Sequence, residues 1–288
     1  MPSSRTQVLG ALGLLALLVA TGAGALVQAA LGTGLLLAAS VLALNASRVR
    51  PLATRWSLSA VLACTAGNAV TPAGLGGSVL MLRLHTRTGL SPDEAVAAVT
   101  VRALASGAVG VLVGVTLAVT MGRSMPTLPG EAPVLLASLG ALALTALLIA
   151  LLCPRRRGRW AAHLRSTCSA VAAVLTHPSR AGMLVVGALG VTGAQLLIFD
   201  GAVRAVGGEV GLISLLFTLF GSSAARAVLP SPGGVGPVET ALVAGLTATG
   251  VPLGAAALAV GVYRVAAFGL PVIAGVFALR WLRRSALL

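Results

Sequence analysis

The segment Leu229–Ala241, LPSPGGVGPVETA, contains the residues best placed for chemistry in this chain. It joins prolines and glycines to one acid, Glu239, where the next helical pattern starts. No continuous α-helix crosses it, because proline lacks the amide donor and glycine favours other conformations. Arg264 lies within the following apolar run, where an uncompensated charge costs at least ~2.5 kcal/mol. We expect Glu239 and Arg264 to pair, either at a polar binding site or as a helix cap and structural salt bridge.

Other polar residues near this break (residues 229–236, the second break) and an earlier one (residues 71–74, the first break) are further candidates. Arg226 precedes the second break, and Asn68 lies near the first, where its amide could equally satisfy loose backbone groups. Arg102 lies about two turns into its helix, so it could instead extend to the membrane interface. The candidate substrate-binding residues are Arg226, Pro232, Gly233, Gly234, Gly236, Glu239, Arg264, Asn68, Pro72, Gly74, Gly76 and Arg102.

The sequence predicts no catalytic, cofactor or metal site. GVGPVE lacks the Lys-Ser/Thr of a phosphate-binding loop, and no zinc motif is present. The three cysteines are isolated and are expected to be free thiols, while His85, His163 and His177 are expected in loops or at the interface. The six acidic residues are widely scattered, so no two of them form a candidate acid–base pair. We therefore expect a protein that is not an enzyme.

The composition indicates an all-α, polytopic integral membrane helical bundle. Hydrophobic residues make up 57% of the chain and charged residues 9%, against roughly a quarter charged in soluble proteins. Apolar runs of about 20 residues recur, enough to span a bilayer. All 20 basic residues are arginines, which suggests a GC-rich bacterial source. They cluster at the ends of apolar runs, the pattern typical of cytoplasmic loops in membrane proteins. We therefore expect the net charge of +14 to attract anionic lipid head groups and not nucleic acid.

The apolar pattern predicts about six full spans plus two re-entrant broken-helix hairpins, in a single transmembrane domain over residues 1–288. The N-terminal run is expected to be retained rather than cleaved, and Val8–Leu44 to form a tight hairpin of two helices that turns at glycines. The remaining spans are predicted at 91–119, 134–152, 182–199 and 254–279. Short helices at 57–70, 78–84, 212–229 and 239–249 flank the two breaks.

The charged segments orient this arrangement. The basic loop 153–180 is predicted to be cytoplasmic, as are both termini. Asp200, Arg204 and Glu209 are mixed in sign and are expected in an external loop. Ser91-Pro92-Asp93-Glu94 is a strong helix start, with a capping hydroxyl, a proline and first-turn acids.

The two breaks suggest an internal repeat. Pro72-x-Gly74-x-Gly76 recurs as Pro232-x-Gly234-x-Gly236, an offset of 160 residues. Thr88-Gly89 recurs as Thr249-Gly250 at 161, and Arg102 as Arg264 at 162. The pseudo-repeats cover about 1–123 and 132–284, and the charge argument makes them enter from opposite faces. Inverted repeats whose broken helices meet near the midplane are typical of secondary transporters.

The stretches LPSPGGVGPVETALVAGL and GVYRVAAFGLPVIAGVFAL resemble the transmembrane, flippase-like region of the lysylphosphatidylglycerol synthase family. GNAVTPAGLGGSVLML resembles the family's other signature. The resemblance places Pro232, Gly233, Gly234, Gly236, Glu239 and Arg264 on characteristic positions. The chain departs from the family's pattern at Val238, where the family commonly has a basic residue, and at Gly77, where it often has an acid. The aminoacyl-transferase domain of the bifunctional synthases is not seen, so the resemblance implies lipid translocation rather than lysine transfer.

The leading hypothesis is a lipid translocase of the bacterial inner membrane that moves an anionic phospholipid or lipid-linked head group. Arg226 and Arg264 would contact phosphate. The alternatives are an ion- or proton-coupled exporter of a small polar solute, with Glu239 as the coupling site, and a non-transporting subunit that recruits a partner enzyme. A homodimer and a cytoplasmic partner at the basic loop Arg155–Arg165 are both left open.

Overall fold

The computed structural model describes residues 4–48, 52–71, 75–124, 169, 172, 176–229 and 231–285. Throughout these ranges the regular structure is helical, as an all-α membrane bundle requires. The helices are α1 (Ser4–Ala46), α2 (Thr54–Val70), α3 (Leu75–Arg87), α4 (Pro92–Ser124), α5 (Pro178–Ala205), α6 (Leu212–Val228), α7 (Pro237–Ala248), α8 (Leu253–Arg264) and α9 (Leu270–Arg284), with a π-helical turn, Val265–Gly269, between α8 and α9.

Four helical stretches of the described chain are long and apolar enough to cross a membrane. They are Gly24–Ala46, Pro92–Gly114, Pro178–Ala205 and the continuous path Leu253–Arg284. The predicted span 134–152 and most of the basic loop 153–180 lie outside the described residues. The span at 134–152 stays a prediction, as does the side on which each terminus lies.

The predicted hairpin over Val8–Leu44 is wrong, because this segment belongs to one uninterrupted helix, α1. Its glycines allow close packing instead of turning. A Cβ at Gly32 would lie 2.6 Å from Cγ1 of Ile198 on α5, so only glycine lets the two helices approach this closely. The run contains no proline and therefore loses no backbone hydrogen bond. The segment therefore supplies one membrane crossing instead of the predicted two. The count of crossings that placed both termini on the same side of the membrane no longer applies.

The expected external loop at Asp200 and Arg204 is also wrong, since both residues lie on the last turns of α5. Their spacing of four residues forms an ion pair on the helix, with Arg204 Nε 2.8 Å from Asp200 Oδ2. Asp200 Oδ2 also accepts a hydrogen bond from Gln28 Nε2 of α1 at 2.8 Å. The acid therefore joins α1 to α5, and only Glu209 of the three lies beyond the helix.

The start of α4 is confirmed in detail. The Glu94 amide donates to Ser91 Oγ at 3.3 Å, and the Ser91 amide donates to Glu94 Oε2 at 2.8 Å. This reciprocal arrangement is a capping box, which satisfies two amides that the first turn leaves without helical partners. The helix then extends five residues beyond the predicted end near Val119.

The two broken regions have the same local plan. A 17-residue helix (α2 or α6) precedes each break, and a shorter helix (α3, 13 residues, or α7, 12 residues) follows it. Two residues after each short helix lies a glycine with positive φ, Gly89 at 89° and Gly250 at 91°. The next amides, of Leu90 and Val251, each donate to a carbonyl five residues earlier. The helix after each turn carries an arginine, Arg102 on α4 and Arg264 on α8.

The last span contains a π-helical turn that the apolar pattern did not indicate. Pro271 follows it and cannot donate a backbone hydrogen bond, so a widened turn accommodates the missing donor. The Ala266 carbonyl in this turn accepts a hydrogen bond from Thr33 Oγ1 of α1 at 3.2 Å. Pro271 was the available sequence signal, since proline inside a helical pattern predicts a kink.

Two packed regions hold the broken helices in place. Phe199 of α5 meets Tyr263 of α8 edge to face, with ring centroids 5.1 Å apart, in an apolar core that includes Leu242 and Leu246 of α7. On the other side, Trp56 of α2 stacks on Trp281 of α9 at 4.4 Å. A tightly packed frame of this kind allows little freedom to the polar groups between its helices.

Candidate functional site

The second break is a tight turn built on glycine. Gly233, Gly234 and Gly236 have φ angles of 62°, 72° and 95°, a backbone region that other residues rarely adopt. The turn is closed by the Gly234 amide, which donates to Ser231 at 3.1 Å, and the Val235 amide, which donates to Pro232 at 3.2 Å. It ends where Gly236 caps α7 and Pro237 occupies the first turn.

Glu239 uses both carboxylate oxygens at this turn. Oε2 accepts the Gly236 amide at 2.7 Å and so caps α7. Oε1 lies 2.6 Å from Nε of Arg264, and the side chains are 31% and 13% exposed, respectively. Arg264 Nη2 also donates to the Gly233 carbonyl at 2.9 Å. The predicted Glu239–Arg264 pair is therefore present, and it ties the α7 cap to α8 through a short charge-assisted contact.

A second guanidinium and an aromatic ring complete this site. The Arg264 guanidinium lies over the Phe268 ring, 4.7 Å from its centroid. Arg226 is exposed, and a Cβ at Gly234 would lie 3.1 Å from its Nε. Arg226 is also close enough to Arg264 and Glu239 to interact electrostatically. Two arginines against one carboxylate leave the site with a net positive charge.

The first break is capped by neutral groups. The Gly77 amide donates to Asn68 Oδ1 at 2.7 Å, and the Gly76 amide donates to Thr71 Oγ1 at 2.8 Å. These contacts satisfy first-turn amides of α3 that would otherwise lack partners. Gly76 packs against the Gly67 carbonyl of α2 with no room for a Cβ. Asn68 thus satisfies loose backbone groups, one of the two roles expected of it.

The two broken regions meet. The Gly233 amide of the second break donates to the backbone carbonyl of Asn68, on the last turn of α2, at 3.3 Å. Because the Gly233 carbonyl accepts from Arg264, one glycine connects the end of α2 to the Glu239–Arg264 pair. The end of α2, which leads into the first break, and the second break are therefore in direct contact.

Arg102 lies apart from this pair, in a cavity of about 280 Å³ between α1, α2, α3 and α4, which we name the Arg102 cavity. Asn68 and Gly77 line it as well, so it begins at the first break. His85 also lines it and is only 1% exposed. The expectation that His85 lies in a loop or at the interface is wrong, because α3 extends through it to Arg87.

The predicted site residues divide into three groups. Gly233, Gly234, Gly236, Glu239 and Arg264 form one site with Arg226 beside it, and Pro232 lies exposed at its edge. Asn68 and Gly76 lie at the first break and, through Asn68, touch that site. Arg102 lines its own cavity, while Pro72 and Gly74 lie outside the described residues.

Sequence reasoning missed His85 and Phe268. For His85, the sequence did contain a signal of a polar cavity in the small polar residues that interrupt the apolar helices. Those that line the Arg102 cavity are Ser40, Ser47, Thr65 and Ser106. Within the described part of the chain, no three His, Cys, Asp or Glu side chains are grouped so that they could hold a metal ion.

The fold and the buried charges define a multi-pass helical membrane protein with broken helices at its centre. The model of the lysylphosphatidylglycerol synthase TM region family matches residues 6–275, nearly the whole sequence. The chain belongs to this family, which relates it to lipid modification or translocation. No curated protein matches the sequence.

Proposed function

We propose that this protein is a flippase-like lipid translocase that moves an anionic phospholipid or lipid-linked head group across a bacterial inner membrane. The observation that carries the proposal is the contact between the two broken regions, Gly233 to Asn68, beside the Glu239–Arg264 pair. Irregular backbone at membrane depth is tolerated only where protein or a wet cavity surrounds it. A polar head group could pass there while the acyl chains stay in lipid.

The charges favour an anionic head group. Arg226 and Arg264 outnumber Glu239, and Arg226 is exposed, so a phosphate could reach its guanidinium without breaking an existing pair. Guanidinium groups bind phosphate through paired, charge-assisted hydrogen bonds. We propose that Arg226 is the first residue to contact the phosphate. Arg264, held in position by Glu239 and Gly233, then limits how far the head group enters the site.

The test is movement of fluorescent phosphatidylglycerol between leaflets of proteoliposomes, followed by chemical quenching of the outer leaflet. The wild-type protein should accelerate movement well above protein-free vesicles. Arg226→Gln and Arg264→Gln should each slow it about tenfold or more, which corresponds to the loss of one charged hydrogen bond. Wild-type protein that moves lipid no faster than empty vesicles would refute the proposal.

Arg204→Gln is a matched control. Arg204 also donates from Nε to a carboxylate, at 2.8 Å, but its side chain is 60% exposed and distant in sequence from the breaks. Its loss should leave translocation within about twofold, because exposed ion pairs contribute little. An equal loss of translocation in Arg204→Gln and Arg264→Gln would mean that lipid movement depends on the overall positive charge of the protein and not on this site.

A proton-coupled exporter is the second candidate, and Glu239 is its natural coupling group. Both oxygens of Glu239 already accept short contacts, from Arg264 and Gly236. A proton cycling there would have to break one of these contacts in each turnover. A translocase predicts that Glu239→Gln movement stays independent of a pH gradient, whereas an exporter predicts that a gradient drives wild-type flux and that this variant abolishes the dependence.

A further inference from the structure

The Arg102 cavity is lined by positive and neutral polar groups. Of the described residues that line it, none is acidic, and its polar side chains include Ser47, Asn68, Ser78, His85, Arg102 and Ser106. No hydrogen bond or ion pair joins Arg102 to any described residue. Cys64 and His85 are close enough to Arg102 to interact with it electrostatically. A guanidinium held inside a membrane bundle without a counterion calls for an anion.

His85 supplies an independent sign of a missing partner. It is almost fully buried, yet neither ring nitrogen has a hydrogen-bond partner of acceptable geometry. The Ala95 backbone offers the ring a weak hydrogen bond, but its geometry falls short of a full hydrogen bond. Buried polar groups are nearly always paired, and a ligand in the cavity would provide that partner.

We propose that the Arg102 cavity binds a phosphate-type oxyanion that carries no amino group beside it, such as the head group of an anionic phospholipid. Oxyanion oxygens would accept hydrogen bonds from Arg102, His85 and the serine hydroxyls. An ammonium group would find no carboxylate among the described lining residues. The volume, about 280 Å³, is at the lower limit of ligand pockets and suits a head group without its acyl chains.

The cavity is connected to the Glu239–Arg264 site by one residue. The side chain of Asn68 lines the cavity, while its backbone carbonyl accepts the Gly233 amide. The Arg102 cavity and the second break therefore share Asn68 as a common boundary. The lipid identity of the ligand rests on the proposed function, whereas the preference for an anion rests on the cavity alone.

Binding is tested with the full-length protein in detergent micelles by native mass spectrometry. Phosphatidylglycerol, phosphatidylethanolamine and an aminoacylated, cationic phosphatidylglycerol are titrated separately. Wild-type protein should bind phosphatidylglycerol about tenfold more tightly than the other two, equal to one charged contact. Arg102→Gln should remove this preference. Equal binding of all three lipids by the wild type, or unchanged preference in Arg102→Gln, would overturn the inference.

Asn68→Asp is the sharper variant, since a carboxylate retains the oxygen that accepts the Gly77 amide and fits the same space. It adds a negative charge to the cavity and should reverse the preference in favour of the cationic lipid. Retained helicity and a single size-exclusion peak verify folding. Arg87→Gln, at the exposed end of α3, is the control and should keep the wild-type preference. Continued preference for phosphatidylglycerol in folded Asn68→Asp contradicts the assignment.

Two further arms separate the ligand's source and the proposed function. Inorganic phosphate that displaces phosphatidylglycerol from wild type, but has no effect on Arg102→Gln, supports the same anion site with a soluble ligand. Arg264→Gln should lose translocation yet retain the lipid preference within about twofold, because Arg264 lies outside the cavity. Arg102-dependent binding without any wild-type translocation would refute the proposed function and leave the anion site standing.

Discussion

The two broken regions have the same helical plan but opposite ways of handling charge. After the second break, Glu239 caps α7 and neutralises Arg264 with the same carboxylate. After the first, Asn68 and Thr71 cap α3 with neutral oxygens, and Arg102 has no acid beside it among the described residues. The short helix after a break can therefore be capped by an ionic or by a neutral group. The ionic cap gives the nearby arginine an acidic partner, whereas the neutral cap gives Arg102 none among the described residues.

The reason for glycine at the end of the repeated motif also differs between the two regions. Gly236 needs its unusual φ of 95°, but a Cβ added there would meet nothing within 4 Å, so conformation alone demands glycine. Gly76 has no positive φ, yet the Gly67 carbonyl leaves it no room for a Cβ. The last glycine of the Pro-x-Gly-x-Gly motif thus serves backbone conformation in one copy and helix contact in the other.

Alanine substitution should separate these two roles and have the largest effects. Gly76→Ala should lower the free energy of unfolding by about 3 kcal/mol, since α2 and α3 must move apart. Gly236→Ala should cost about 2 kcal/mol through backbone strain alone. Denaturant unfolding in mixed micelles measures both. Gly34→Ala, where a Cβ meets open space on α1, is the control, and a similar loss there would invalidate the comparison.

Removing the arginines should sharpen the contrast in charge. Arg264→Gln should destabilise the protein by about 2 kcal/mol, because Glu239 and the Gly233 carbonyl lose a charged donor. Arg102→Gln should be neutral within about 0.5 kcal/mol or stabilising, because it removes a charge without a counterion. The measurement is unfolding of both variants in lipid-free micelles.

A double-mutant cycle extends this prediction. Glu239→Gln with Arg264→Gln should show a coupling of about 1 kcal/mol or more, as contacting residues do. Glu239→Gln with Arg102→Gln should be additive within about 0.5 kcal/mol, since these residues belong to different sites. Coupling of equal size in both pairs would mean that the sites are not distinct.

The smallest effect concerns the repeated turn after each short helix. Thr249 Oγ1 donates to the Leu246 carbonyl at 2.7 Å, and Thr88 Oγ1 donates to the Leu84 carbonyl at 2.8 Å while also accepting from Arg48 Nη2 at 2.9 Å. Thr249→Val should cost about 0.5 kcal/mol and Thr88→Val about 1 kcal/mol. Equal costs in thermal unfolding would show that the Arg48 contact contributes nothing.

Much of the site could be predicted because its signals are local. Proline and glycine limit the backbone wherever they occur, so both breaks and the start of α4 were predicted from a few residues. Glu239 and Arg264 are charges in apolar runs, which must find partners. Glycine was misleading in α1, because a missing side chain permits a turn and close helix packing equally well.

The sequence by itself determined that this is a helical membrane protein, where its helices are interrupted, and which charges they must accommodate. Those properties follow from hydropathy, length and backbone chemistry along the chain. Tertiary structure alone decided that Gly233 meets Asn68, that Asp200 joins α1 to α5, and that His85 and Arg102 share a cavity. Such contacts depend on how helices far apart in sequence pack together, which no local pattern encodes.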